Sequence, residues 1–205
     1  MPRPKSLALD DIATAALSLL DRAGLGALSM RSVADELGVG TMSLYRYVSD
    51  REHLERLVVE LVLRDVVLEA PSRASWTNRL ALLAERVREA VGAHPAVLPL
   101  LIIHRHESPH SIRWGEAVLG VLAQAGFSGK RRVIAFRSLL SYVIGALQVE
   151  QLGPLAGAGT RALAELPASE FPYLAETARD AQRVDPASEF RSGLALLLRG
   201  LAAEL

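Results

Sequence analysis

"SMRSVADELGVGTMSLYRYVSDREHL" occupies residues 29–54, and its reading decides the fold. Ser29 is placed to cap a short helix over 30–37 that turns Val33, Ala34 and Leu37 inward. Gly38-Val39-Gly40 forms a tight turn. A second short helix is expected over 41–48. On it Leu44 and Val48 are four apart and share one side. Met42, Ser43, Arg46 and Tyr47 line the opposite side, with Thr41 and Tyr45 at its edges. A helix of two turns is not stable alone, so Leu44 and Val48 must be braced by packing, together with Leu37 and Val39. Two short helices joined by a three-residue turn, the second presenting Arg, Ser and Tyr outward, match a helix-turn-helix.

The flanks extend this pattern. "LDDIATAALSLLDRAG" (9–24) sets Ile12, Ala16, Leu19 and Leu20 on one helical stripe. Asp10 and Asp11 fall in its first turn, where the helix dipole favours negative charge. Ala8 and Leu9 are poor N-caps, and Gly24 is a C-terminal stop. Ser49 and Glu52 fit the capping box S-x-x-E and open a fourth helix carrying Leu54, Leu57, Val58, Leu61 and Val62. "EAPSRAS" (69–75) ends it. Beyond, helices are expected near 76–93, 96–105, 110–125 and 130–151, separated by His94-Pro95, Ser108-Pro109 and Gly126. "LGPLAGAGT" (152–160) reads as a flexible connector. A helix near 172–182 follows, then one over 185–205 with Pro186 in its first turn and Ser188 as candidate cap. The expected fold is all-α. A three-helix head and a linking helix occupy 1–69, and a larger helical body occupies 70–205.

Composition narrows the function. The chain of 205 residues carries 23 basic and 23 acidic side chains, and half of it is hydrophobic. Without cysteine there are no disulfides, zinc–thiolate sites or cysteine nucleophiles. "MPRPKSLALDD" lacks the apolar core of a signal peptide, and apolar runs such as "VLPLLII" (97–103) are too short to cross a bilayer. A cytoplasmic protein with no membrane partner is expected. Residues 1–70 hold eight Lys/Arg and eleven Asp/Glu. A head that binds DNA must therefore turn Asp10, Asp11, Asp21, Glu55, Glu60 and Asp65 away from the duplex.

The outward face of the third helix suits DNA. Arg46 can donate a bidentate pair to guanine O6 and N7, and Met42 can touch a thymine methyl. Ser43 and Thr41 reach base edges or phosphates. The hydroxyls of Tyr45 and Tyr47 suit phosphate oxygens, which fix register without reading sequence. Arg31 reaches a base or a phosphate. Arg51 and the start of the fourth helix offer charge and free N–H groups to another phosphate. Arg3 and Lys5 lie on an arm suited to the adjacent minor groove.

The segment "ALSMRSVADELGVGTMSLYRYVSDREHLERLVVELV" (27–62), preceded by "IATAALSLLDRAG", resembles the tetracycline-repressor (TetR) family of transcriptional regulators. Its most specific parts are "SMRSVADELGV", "LYRYV" and "SDRE". By that resemblance Arg31, Thr41, Met42, Ser43, Tyr45, Arg46, Tyr47 and Arg51 fall at positions that touch operator DNA. Gly40 stands where a Ser or Thr cap is frequent, and Tyr47 where His is common.

"LALLAERVREAVGAHPAVLPLL" and "AVLGVLAQAGFSGKRRVIAFRSLLSYVIGALQVEQ" resemble the effector-binding half of the same family. That implies a homodimer built by two C-terminal helices of each subunit, here about 130–151 and 188–205. Leu194, Leu197, Leu198 and Leu201, with Phe190 beside them, form an apolar stripe that a partner can bury. His104 aligns with a family position that contacts ligand. Trp114, Phe136, Tyr142 and Gln148 are candidates to line an effector cavity, with plain core as the alternative. His104 and His106 diverge on a helix, so with His110 they make no expected metal site, and no cofactor is expected. The leading function is a repressor released from operator DNA by an unidentified small molecule. The rivals are a helical adaptor that binds protein through Tyr45-Arg46-Tyr47, and a helical enzyme using His104, His106, Glu107 and Glu150. Nothing assembles the nucleophile or acid–base pair that such an enzyme needs.

Overall fold

The computed structural model describes residues 7–205. Among them are eleven α-helices and no strand. Helix α1 is Leu9–Ala23, α2 Met30–Glu36, α3 Thr41–Leu44, α4 Arg51–Leu63, α5 Trp76–Gly92 and α6 Leu98–His104. Then come α7 Pro109–Gln124, α8 Gly129–Leu152, α9 Ala158–Ala164, α10 Pro172–Ala181 and α11 Pro186–Ala202. Arg3 and Lys5 lie outside the described residues.

The helices group into two packing units. One comprises residues up to Glu69 together with Arg86–Ala117, and the other Ala70–Glu85 together with Val118–Leu205. The sequence reading places its boundary at 69/70, whereas residues 86–117 cluster with the head.

In the first unit α1 packs on α2 and α4, α2 on α3, and α4 on α6. Ile12, Ala16, Leu19 and Leu20 are buried as their spacing requires. Leu28, Val33, Ala34, Leu44, Val48, Leu54 and Val58 complete the core. Each Val, Leu or Ile side chain among them contributes about 1.5–3 kcal/mol on full burial. The weak N-cap of α1 is offset locally, because Asp11 Oδ2 accepts from the Ala8 N–H at 3.1 Å. Helix α2 begins as expected, with Ser29 Oγ accepting from Ser32 N–H. It ends at Gly38, whose φ of 66° is open to glycine without strain. There Val39 N–H donates to Ala34 O and Gly38 N–H to Asp35 O, the paired bonds of a Schellman stop. This stop aims α3.

Four local expectations change. The third helix is one α-turn, Thr41–Leu44, followed by a turn over 45–47. Arg46 N–H donates to Ser43 O and Tyr47 N–H to Leu44 O, both three residues back, before Val48 N–H returns to Leu44 O. The cap of α4 is Asp50, not Ser49: its Oδ1 accepts from His53 N–H at 2.7 Å, and the Ser49 hydroxyl supports its other oxygen. A carboxylate is the stronger acceptor at the positive end of a helix. Helix α4 stops at Leu63 instead of near 69. Branched Val66 and Val67 favour extended backbone, and Arg86 Nη1 donates to the carbonyls of Val67 and Glu69. Finally, Asp185 caps α11 by accepting from the Ser188 N–H.

In the second unit α8 packs on α11 and α9 on α10. Trp76 meets Phe127 edge-on, with ring centroids 5.6 Å apart. The inner stripe of α8 is Ala135, Leu139, Val143 and Leu147. At 24 residues α8 is long and apolar enough to cross a membrane by length and composition, which the short apolar runs of the sequence did not suggest. It also bears Lys130, Arg131, Arg132 and Arg137, and its inner stripe is core. Helix α9 occupies part of the expected connector. The apolar stripe of α11 differs from expectation as well. Phe190, Leu194, Leu198 and Leu201 are buried within the single chain, so a partner subunit is not what covers them.

Candidate nucleic-acid interface

The first unit holds α3 from behind. Leu44 and Val48 are fully buried, and α2 in turn is tied to α1 by Arg22, which donates to both oxygens of Glu36 at 3.3 and 2.7 Å. That guanidinium holds the Glu36 carboxyl below the usual carboxylate range, first by hydrogen bonding and then by charge. Asp50 is likewise held low, chiefly by the His53 N–H and then by the Ser49 hydroxyl.

The opposite face of α3 is open. Met42 is 79% exposed, unusual for so apolar a side chain, and Tyr45 and Arg46 are exposed beside it. Thr41, Ser43 and Tyr47 are half-buried at the margins. Arg31 projects from α2 and meets Asp35 only at 3.9 Å. Arg51, in the first turn of α4, is half exposed. Its Nε donates to Glu55 Oε1 at 2.7 Å, and an Nη donates to the Leu25 carbonyl at 3.4 Å. The eight residues singled out from sequence thus come from α2, α3 with its following turn, and the start of α4, all in one unit. An exposed thioether, a guanidinium and phenol hydroxyls on a short helix can meet base edges and phosphates.

Four of the acids expected to face away from the duplex have side-chain partners inside this unit. Arg64 pairs with Asp10 at 2.8 Å, and His94 with Asp21 at 2.7 Å. Glu60 pairs with His110. Glu55 is buried, and its Oε2 accepts from His104 Nε2 at 2.9 Å. A carboxylate oxygen accepts, so Nε2 carries the hydrogen of this bond. The sequence reading turned Glu55 away from the duplex and missed this role. Its i,i+4 spacing from Arg51 was the available signal; the partner on α6 was not readable.

The five effector candidates are divided between the two units. His104 and Trp114 are buried in the first. His104 Nδ1 is buried without a hydrogen-bond partner, which leaves a polar atom that costs about 1–3 kcal/mol until it is met. In the second unit Tyr142 donates its hydroxyl to the Phe190 carbonyl at 2.7 Å. With Ala146, Val149, Glu150, Glu189 and Phe190 it lines a cavity of about 170 Å³. That lining includes neither Phe136, which is half-buried, nor Gln148, which is exposed. The residues of the enzyme reading do not converge either: His104 turns to Glu55, Glu107 accepts from Arg56, and His106 is exposed.

Comparison with known proteins agrees with this geometry. Residues 12–55 match the bacterial regulatory proteins, tetR family, and residues 69–205 match the tetracyclin repressor-like C-terminal domain. An HTH-type transcriptional regulator of Saccharopolyspora erythraea is 34% identical over 201 residues, covering 96% of this chain and 85% of the relative. The tetracycline repressor protein class A from transposon 1721 of Escherichia coli is 29% identical over 190 residues, covering 92% and 87%. Among solved structures, the TetR family protein ActR of Streptomyces coelicolor in complex with actinorhodin superposes with a TM-score of 0.81. It is 29% identical and covers 98% of each chain.

Proposed function

The chain belongs to the tetR family of bacterial regulatory proteins, and from that membership we propose that it is a DNA-binding transcriptional regulator, a repressor that leaves its operator when a small molecule binds. One observation carries the proposal: Leu44 and Val48 are sealed while Met42, Tyr45 and Arg46 on the same short segment face outward. In this reading α3 enters the major groove. Arg46, Met42, Ser43 and Thr41 meet base edges, and Tyr45, Tyr47, Arg31 and Arg51 hold phosphates or the nearest base. The family is one of regulators rather than enzymes.

Residues 1–69 serve as the DNA-binding domain and 70–205 as the effector-binding and dimerisation domain. Exposed Val133, Ile134, Val149 and Leu152 on α8 and Leu196 on α11 support a homodimer joined through these helices. Two copies of α3 then reach successive major grooves about 34–36 Å apart. A relative solved with actinorhodin bound supports a small-molecule effector, with His104, Trp114, Phe136, Tyr142 and Gln148 as its candidate contacts. Release requires that the effector bind the two conformers unequally. Work on an operator places the protein in the cytoplasm, where no membrane partner is needed.

Selection from a random double-stranded DNA pool tests this. The expected result is enrichment of a two-fold symmetric sequence bound at moderate salt. A pool that stays random, with no retained duplex, overturns it.

A further inference from the structure

Glu55 lies one helical turn beyond Arg51 on α4, and its two carboxylate oxygens serve different donors. Oε1 accepts from Arg51 Nε at 2.7 Å, and Oε2 accepts from His104 Nε2, on α6, at 2.9 Å. Glu55 and His104 are buried, whereas the Arg51 side chain is half exposed. One carboxylate therefore joins a surface cation to a buried imidazole. We infer that Glu55 is a positioning residue through which His104 sets how firmly Arg51 holds an operator phosphate, an inference that rests on the phosphate role proposed above for Arg51.

The chemistry is a competition for one carboxylate. While His104 donates to Oε2, Glu55 needs Arg51 only through Nε. The Nη edge of the guanidinium, held just by a 3.4 Å bond to the Leu25 carbonyl, stays available to a phosphate. Once His104 lets go, Glu55 is a buried acid with a single donor. A buried charge short of hydrogen bonds is costly, so the guanidinium turns more of its N–H groups inward. The phosphate then loses its cation. Helix α6 lies within the region that matches the C-terminal effector domain, yet it packs on α4. His104 Nδ1, buried and without a hydrogen-bond partner, is the atom through which a ligand can draw the ring away from Glu55. With the hydrogen on Nε2, a neutral ring offers Nδ1 as an acceptor, so the matching ligand group is a hydroxyl or N–H donor.

The test is binding of a fluorescent duplex carrying the selected symmetric sequence, measured across a salt series for the full chain and its variants. His104→Leu is expected to weaken binding about three- to tenfold and to lower the salt slope by about one, as loss of one phosphate contact does. A purely structural defect leaves that slope unchanged. His104→Gln, whose amide N–H can replace Nε2, restores both. In an Arg51→Ala background His104→Leu adds nothing. Circular dichroism and melting establish that each variant is folded, and His104→Met, which also lacks the donor, carries the comparison if His104→Leu is not. Additive losses from His104→Leu and Arg51→Ala overturn the inference, as does a folded His104→Leu protein with wild-type affinity and slope. Those results leave the regulator reading standing. A wild-type protein that binds no selected duplex removes that reading itself.

Discussion

Val48 donates its backbone N–H to the carbonyl of Leu44 at 3.1 Å, and both side chains are fully buried. The last residue of α3 and the turn that follows it are therefore fixed from behind. Leu44→Ala removes the central brace and is expected to cost about 2–5 kcal/mol of stability. Chemical denaturation measures it. Operator affinity should fall with it, because an α-turn of four residues does not hold its shape unaided.

Acid should weaken this head through two carboxylates. Glu36 and Asp50 are both held below the usual range, Glu36 by Arg22 and Asp50 by the His53 N–H. A lowered folded pKa means that the unfolded chain binds protons first. The stabilisation is thus complete above the ordinary carboxylate value, about pH 4. It is lost as the pH falls below that through the lowered values. Melting temperature against pH should show this acid limb, and Glu36→Gln should make it shallower.

Glycines in two helices should respond oppositely to alanine. At Gly193 an added Cβ meets the Tyr142 hydroxyl at 2.5 Å, and relief would break the Tyr142–Phe190 hydrogen bond. Overpacking costs about 1–3 kcal/mol, against a helix-propensity gain of at most about 1 kcal/mol. Gly193→Ala should therefore destabilise. At Gly120, in α7, an added Cβ meets nothing within 4 Å, so Gly120→Ala should raise the melting temperature.

The homodimer proposal makes its own demand. Ile134 projects from α8 and is 62% exposed in the single chain. Ile134→Glu should give a folded monomer in sedimentation while leaving the helical signal intact. Binding to a symmetric duplex should weaken by more than tenfold, because the two half-sites lose their linkage.

The sequence carried the head because its signals are local. Ser29, the Gly38 turn and the four-residue step from Leu44 to Val48 each act within one or two turns, so spacing alone exposes them. Apart from the caps Asp50 and Asp185, what escaped was set by tertiary neighbours. The early end of α4 depends on Arg86, seventeen residues beyond Glu69, reaching back to the carbonyls of Val67 and Glu69. The role of Glu55 was hidden because nothing near it in sequence announces His104, 49 residues away. The stripe on α11 showed that it would be buried, but α8 of the same chain covers it. Periodicity tells which side is apolar, not what meets it. Tyr142 and Gln148 look equally suitable in sequence as cavity residues. Only the first lines the cavity beside Phe190.

The central claim is that α3 and the turn after it read bases through Arg46. Its most direct test is competition binding of wild type and Arg46→Ala against every single-base change in one selected half-site. The account predicts that Arg46→Ala loses about 1–3 kcal/mol and becomes indifferent at one base position, while the other preferences persist. An Arg46→Ala protein with unchanged affinity and an unchanged preference at every position would contradict it.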